Sequence, residues 1–505
     1  MDQIASVLLS FPPSQDLRGN DEYNAAAKAH VKQLNQLKQN EPALLATHAP
    51  QLLQHVDPAF NSISYAYLLN AVYYSETKNS HLPDDLAECT TKFLLTFDAR
   101  QIRYAGAPFS SILDVLKSGQ TFPPSIAVEL LASALLRLDP TGSILTSHHL
   151  PLVSQAYQTQ NISHVLPLIS KSIVFYPGMR GQTENRPLCD LRLPSSAYIS
   201  IESGLTGRVT SSEVLEYDLI SGLCHVVQHD WASASAAFER VCTFPTRDQG
   251  CSAVMAQAYN KWILVNLLLV GKLRPTSSLG SITSTVQKSF QTLGKPYVAL
   301  AKAFEKGASE RGAEQLKAEF EAGTSFWTEE RNDGLVREVL AHYQRHHILR
   351  LKEVYSKIGL EDIRQLTHSA ETGKPLETAS DVEALLRNMI GSGILAGVVE
   401  KPPGTVEGDG QGHLTFLSEG EELSEVQFAA ELEKSARHIR NLAPIIQATN
   451  ERLGTSRDYV KHLVKEQKKE KDGAAGLAFK DVLDMGFDSQ IEDEDLMTGV
   501  QIAGA

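Results

Sequence analysis

The sequence predicts a mainly α-helical protein: a TPR-like solenoid of stacked helix pairs, then a winged helix, then a C-terminal helix. Three observations predict it. Apolar residues recur at helical spacing between Pro- or Gly-bearing breaks over most of the first 350 residues. An amphipathic helix, Ser380–Ile390, precedes two apolar β-like runs, Ile394–Val399 and His413–Leu417. A charged helix with a regular apolar stripe follows at Glu421–Leu453.

The elements read in order. Glu22–Gln39 places Ala27, Val31, Leu34 and Leu37 on one face and stops at Pro42. Asn61–Tyr74, Asp84–Phe97, Pro108–Leu116 and Pro124–Leu138 follow as helices. Units of this length stack, because no single pair can bury its own apolar face. Arg180–Thr210 is rich in Pro, Gly, Ser and Arg and reads as a connector, so a soft boundary falls at 205/206.

Residues 206–334 resume the helices. Tyr217–Pro245 is the clearest repeat unit. Gly222 would let two helices approach; Ala234 and Phe238 follow twelve and sixteen residues later, and Pro245 closes the unit. Ala253–Leu269, Gly280–Phe290, Pro296–Glu305 and Gly312–Phe320 continue the stack. Asn332 or Asp333 would cap a helix from Gly334 to about Tyr355. That helix opens the winged-helix region, 335–418. The C-terminal helical region, 420–464, carries Leu423, Val426, Leu432, Ile439, Leu442 and Ile446 at three- or seven-residue steps, and Pro444 should kink or divide it. Residues 465–505 run from basic to acidic and read as a disordered tail.

Composition narrows the function. The chain has 505 residues and a net charge of −13, which opposes bulk binding to nucleic acid or anionic membranes. The longest apolar run, Trp262–Val270, is under half a bilayer span, so no membrane segment is expected. Five scattered cysteines without a Cys-x-x-Cys pair suit free thiols in a reducing compartment, hence cytoplasm and nucleus.

Catalytic and cofactor motifs find little support. There is no phosphate-binding Gly-x-x-x-x-Gly-Lys-Ser/Thr loop, no Gly-x-Ser-x-Gly elbow and no His-x-His with a downstream Asp. His225 and His229 lie one turn apart and could share a zinc, but no third ligand is fixed by spacing, so packing is the preferred reading. The chain is therefore expected to be no enzyme, with no cofactor and no metal.

The winged helix is the sharper test. Ser380–Ile390 offers one cation, Arg387, against Asp381 and Glu383. Carboxylates repel phosphates, and a duplex reader needs several Arg or Lys there and along the wing. The wing offers Lys401 against Glu400 and Glu407. A winged helix without this charge suits protein assembly: its open strand edge can pair with a neighbouring sheet. The apolar stripe of the last helix needs a partner to bury it. The candidate interface residues are Ile394, Val398, Leu414 and Phe416 on the wing, and Leu432, Ile439, Leu442 and Ile446 on the helix.

Helical repeats feeding a winged helix resemble the PCI proteins, scaffolds of the proteasome lid, the COP9 signalosome and translation initiation factor three. The signalosome members are most similar. The residues are Tyr259-Asn260-Lys261-Trp262-Ile263-Leu264-Val265, Gly271-Lys272-Leu273, Lys295-Pro296-Tyr297, Asn332-Asp333-Gly334-Leu335-Val336 and His347-Ile348-Leu349-Arg350-Leu351. Leu360-Glu361-Asp362-Ile363, Met389-Ile390-Gly391-Ser392-Gly393-Ile394 and His413-Leu414-Thr415-Phe416 continue the order. The resemblance covers roughly 215–418. It implies a non-catalytic scaffold subunit whose partners are other PCI subunits, an isopeptidase subunit and, through the complex, cullin-RING ligases. The alternatives are a proteasome-lid subunit and a nucleic-acid-binding winged-helix protein.

Overall fold

The computed structural model describes residues 2–13, 19–74, 84–119, 121–177, 187–245, 250–280, 282–306, 310–400, 412–417, 425–455, 459–461 and 464–465. The wing loop 401–411 and the tail from 466 onward, both expected from sequence, lie outside the described residues. The chain divides into two units, Met1–Lys434 and Ser435–Ala505.

The first apolar core is built by α1 (Asp2–Leu8), α2 (Asn20–Asn40), α3 (Pro42–His55), α4 (Ser62–Tyr73), α5 (Asp84–Thr96), α6 (Ala99–Ile102), α7 (Gly106–Lys117), α8 (Pro124–Leu138), α9 (His149–Gln158), α10 (Leu166–Ile169) and α11 (Ser195–Tyr198). Pro42 ends one helix and starts the next. It occupies the first turn of α3, where its missing N–H would have no helical partner anyway. The connector around α11 crosses back over the repeats. A Cβ at Gly106 would overlap the Ser203 carbonyl, so the strap lies directly on α7. Arg103 fixes it by donating to the carbonyls of Leu188 (2.8 Å) and Asp190 (2.7 Å), with its guanidinium over the Tyr198 ring.

The second core comprises α12 (Ser211–Val227), α13 (Trp231–Cys242), α14 (Ala253–Val270), α15 (Ser284–Leu293), α16 (Lys295–Glu305), α17 (Glu310–Ala322), α18 (Thr324–Glu329) and α19 (Asp333–Leu351). Helix α12 belongs to both cores: Tyr217 and Cys224 enter the first, Leu215 and Leu219 the second. A capping box between Thr210 and Glu213 starts it. The predicted close approach at Gly222 is present. A Cβ there would sit 2.5 Å from the Phe238 ring, so only glycine lets α13 lie against α12.

Helix α14 is long and apolar enough to cross a membrane, which the nine-residue run alone did not suggest, but two-thirds of it is buried among the other helices. Its polar residues are held in place. Lys261 Nζ donates to Asn332 Oδ1 (2.8 Å), Asn332 Nδ2 donates to the Tyr297 hydroxyl (2.5 Å), and that hydroxyl donates to Glu330 Oε2 (2.7 Å). The side chain of Asn332 therefore joins three helices and makes no cap bond at the start of α19, contrary to the sequence reading.

The third core follows α19. Its elements are β1 (Lys357–Gly359), α20 (Leu360–Leu366), α21 (Ala379–Gly391), β2 (Gly397–Glu400) and β3 (His413–Phe416). The three strands form an antiparallel sheet in the order β1-β3-β2. Helix, strand, two helices and two strands, closed by such a sheet, is the winged-helix order. The sequence supplied two of the strands; β1 is the third. The last named element is α22 (Glu425–Thr455), 31 residues long and thus about 46 Å. It runs unbroken past Pro444, which removes one N–H from a ladder long enough to persist without it.

Candidate interaction surface

Pairing fixes the geometry of the sheet. Leu417 N donates to Ala396 O (3.0 Å), continuing the register in which Val398 faces Thr415 and Glu400 faces His413. Hydrogen-bonded and non-bonded pairs alternate along antiparallel strands. The backbone groups of Gly397 and Val399 therefore point away from β3, along the edge of β2 that pairs with no other strand among the described residues. The side chains alternate as well. Ile358, Leu414 and Phe416 face the third core, while Val398 and His413 are exposed. Lys357 Nζ and Glu400 Oε2 meet at 2.8 Å from the two outer strands. Both are half exposed, so this pair contributes little to stability.

The structure divides the wing residues expected at an interface. Val398 is 47% exposed on the edge strand. Ile394 is 42% exposed, but it precedes β2 and its N–H bonds back to Met389 O (3.0 Å), so it belongs to the end of α21. Leu414 and Phe416 are core residues, at 0% and 8% exposure. They lie on the central strand facing α20 and α21, where no partner can reach them. Period-two patterning identifies a two-faced strand but does not say which face is covered.

The residues expected on the last helix are open. Leu432, Ile439, Leu442 and Ile446 are all exposed, and Phe428, which the sequence reading passed over, joins them at 57%. Leu432, Ile439 and Ile446 are seven apart. Phe428 and Leu442 fall four and three residues from that series, giving an a/d stripe. Counting in heptads would have found Phe428. The side chain of Val426 and the whole of Leu423 lie outside the described residues.

The face a duplex reader would use is short of charge. Arg387 is the one cation of α21, and its Nη2 lies 2.5 Å from Glu383 Oε1 on the same helix. The Thr378–Asp381 capping box puts a carboxylate at the helix start.

The two histidines weighed for a shared zinc have different surroundings, and His346, His347 and His148 have separate partners. His225 is buried, whereas His229 is exposed and pairs with Glu338 Oε1 at 2.9 Å. His346 Nε2 contacts Leu268 O (3.0 Å), and His347 packs edge-on against Tyr343. His148 lies between Lys117 Nζ (2.5 Å) and Ser110 Oγ (3.1 Å). Burial holds the pKa of His347 down at about 4 and that of His148 at about 3. Among the described residues, no three His, Cys, Asp or Glu side chains gather to hold a metal.

Two helical cores run end to end into a winged-helix module, with exposed apolar residues along a final helix. These features define a mainly α-helical protein of helical-repeat type. Comparison with known proteins is more specific. The family described as COP9 signalosome complex subunit 3, N-terminal helical repeats, matches residues 22–287. Subunit 3 of the Neurospora crassa COP9 signalosome is 42% identical, covering 99% of both chains. Its counterpart in Emericella nidulans is 29% identical over 93% of this chain and 96% of its own. That of Arabidopsis thaliana is 21% identical over 83% and 85%. The chain belongs to the COP9 signalosome subunit 3 family.

Proposed function

We propose that this chain is a non-catalytic scaffold subunit of a COP9 signalosome. It assembles with other PCI subunits and the isopeptidase subunit, and so supports removal of the ubiquitin-like modifier from the cullins of cullin-RING ligases. The a/d stripe of α22 is the observation that carries the assembly reading. Five large apolar side chains stand exposed on one long helix, and helix-bundle partners would bury them. The free edge of β2, with Val398 beside it, is the second contact, suited to strand addition by a neighbouring winged helix. The complex works in cytoplasm and nucleus. Membrane and duplex nucleic acid are not partners.

Affinity purification of the full chain with mass spectrometry tests the reading. The expected co-purifying set is a cullin-deneddylating complex with its isopeptidase. Recovery of the proteasome base ATPases instead would overturn it in favour of a lid subunit. Deleting residues 425–455 should release the chain from the complex and let modified cullin accumulate. Unchanged assembly after that deletion would remove the helix from the interface.

A further inference from the structure

A cleft of about 230 Å³ opens between the loop Ser170–Tyr176 and one face of the α12–α13 hairpin. Its apolar floor is Leu145, Ile169 and Val214, all buried. Its polar wall has unused hydrogen-bonding capacity of both signs. Arg240 Nε (2.9 Å) and Nη2 (2.8 Å) both approach Asp218 Oδ1, and among the described residues Oδ2 accepts nothing. His225 is 5% exposed and its Nδ1 has no hydrogen-bond partner among the described residues; Asp230 Oδ2, at 3.7 Å, is out of reach. Burial lowers the His225 pKa, so the ring is neutral and offers one N–H and one lone pair. Lys171 stands at the rim, its Nζ donating to the Pro140 carbonyl.

These groups select by elimination. An anion would meet Asp218, and a cation would meet Arg240 and Lys171. A carboxamide offers N–H groups to Asp218 Oδ2 and a carbonyl to the Arg240 or Lys171 donors. A buried polar group left unsatisfied costs about 1–3 kcal/mol, so a ligand with both functions gains most here. The volume is below the roughly 300–1,000 Å³ of small-molecule pockets and suits one side chain with its flanking backbone. We propose that this inter-repeat cleft docks an extended segment of another polypeptide, anchored by an Asn or Gln side chain.

The test uses the full chain and fluorescent hexapeptide pools with randomised flanks and a fixed third residue: Asn, Gln, Asp, Lys or Leu. Fluorescence polarisation should show the Asn or Gln pool binding about tenfold or more tighter than the others, a difference of roughly 1.4 kcal/mol. Ala236 lines the cleft and is exposed, so Ala236→Trp should fill the site and weaken binding about tenfold, with thermal unfolding unchanged. Ala236→Glu, which adds a carboxylate near Asp218 and less bulk than Trp, should give a similar loss. The proposal is overturned if no pool binds, if a charged or Leu pool binds best, or if neither variant weakens binding. No other subunit is present in the assay, so its failure leaves the assembly reading untouched.

Discussion

Helices α14 and α22 are both long and both carry a series of large apolar residues, yet they meet opposite fates. In α14, twelve of eighteen residues are buried, from Met255 to Leu268, and even Asn260, Lys261 and Asn266 are enclosed. In α22 the described large apolar residues, Phe428, Leu432, Ile439, Leu442 and Ile446, are exposed. The difference lies in the pattern. Helix α14 is apolar nearly all round, as a helix surrounded by others must be. Helix α22 instead sets its exposed large apolar residues on an a/d seam among many charged residues, which suits one or two partner helices. The first completes the chain's own core, and the second is a surface to be covered from outside.

The largest effect expected on the buried core is that of acid. His30, His148, His149 and His347 are all buried, and burial lowers their pKa values to about 4, 3, 4 and 4. A lowered folded pKa means that the unfolded chain binds more protons between that value and about 6.5. Stability is therefore full above about pH 6.5 and falls as pH drops towards 4. Together these groups should cost several kcal/mol, on the order of 1.4 kcal/mol per pKa unit for each. Urea melts at pH 7, 5.5 and 4.5 should show the midpoint falling steadily. A flat profile would mean that these rings are not buried in neutral form.

Next comes Trp262, at 1% exposure the largest fully buried side chain of α14. Trp262→Ala should cost about 3–5 kcal/mol in denaturant melts. Its indole N–H has no hydrogen-bond partner among the described residues, so Trp262→Phe should lose much less. Equal losses in the two variants would show that the N–H matters more than the ring.

The opposite result is expected on α22. The double variant Leu432→Asp, Ile439→Asp alters exposed positions, so the isolated chain should change by no more than about 0.5 kcal/mol. Its retention in the complex, read by gel filtration with partner subunits, should be lost. Destabilisation of the isolated chain comparable to that of Trp262→Ala would erase the contrast between the two helices.

The contrast also explains what the sequence could and could not reveal. Helices α2, α5, α7 and α8 were legible because one face is apolar at a 3.6-residue period, and α4 because it is apolar nearly throughout. Helix α3 was hidden because Pro42 read as a break although it starts the helix; Pro50 is tolerated inside it. Strand β1 is three residues long, too short to show alternation, and exists because β3 pairs with it. The exposed seam of α22 was readable from spacing alone. The burial of Leu414 and Phe416 was not, because it depends on α20 and α21 packing over a central strand. Asn332 shows the same limit: its partner Lys261 is 71 residues away.

The smallest effect concerns Arg387. Its side chain is 63% exposed and paired with Glu383 four residues earlier, and such a pair contributes at most about 1 kcal/mol. Arg387→Gln should therefore hardly move the unfolding midpoint. It should also leave duplex DNA binding where it began, at background, in about 0.15 M salt, because α21 has no second cation to replace the counterions a phosphate backbone releases. Tight duplex binding by the native chain that Arg387→Gln weakens would put a nucleic-acid surface on the winged helix. The module between α14 and α22 would then have a ligand of its own, and the seam of α22 would no longer be the main outward-facing site.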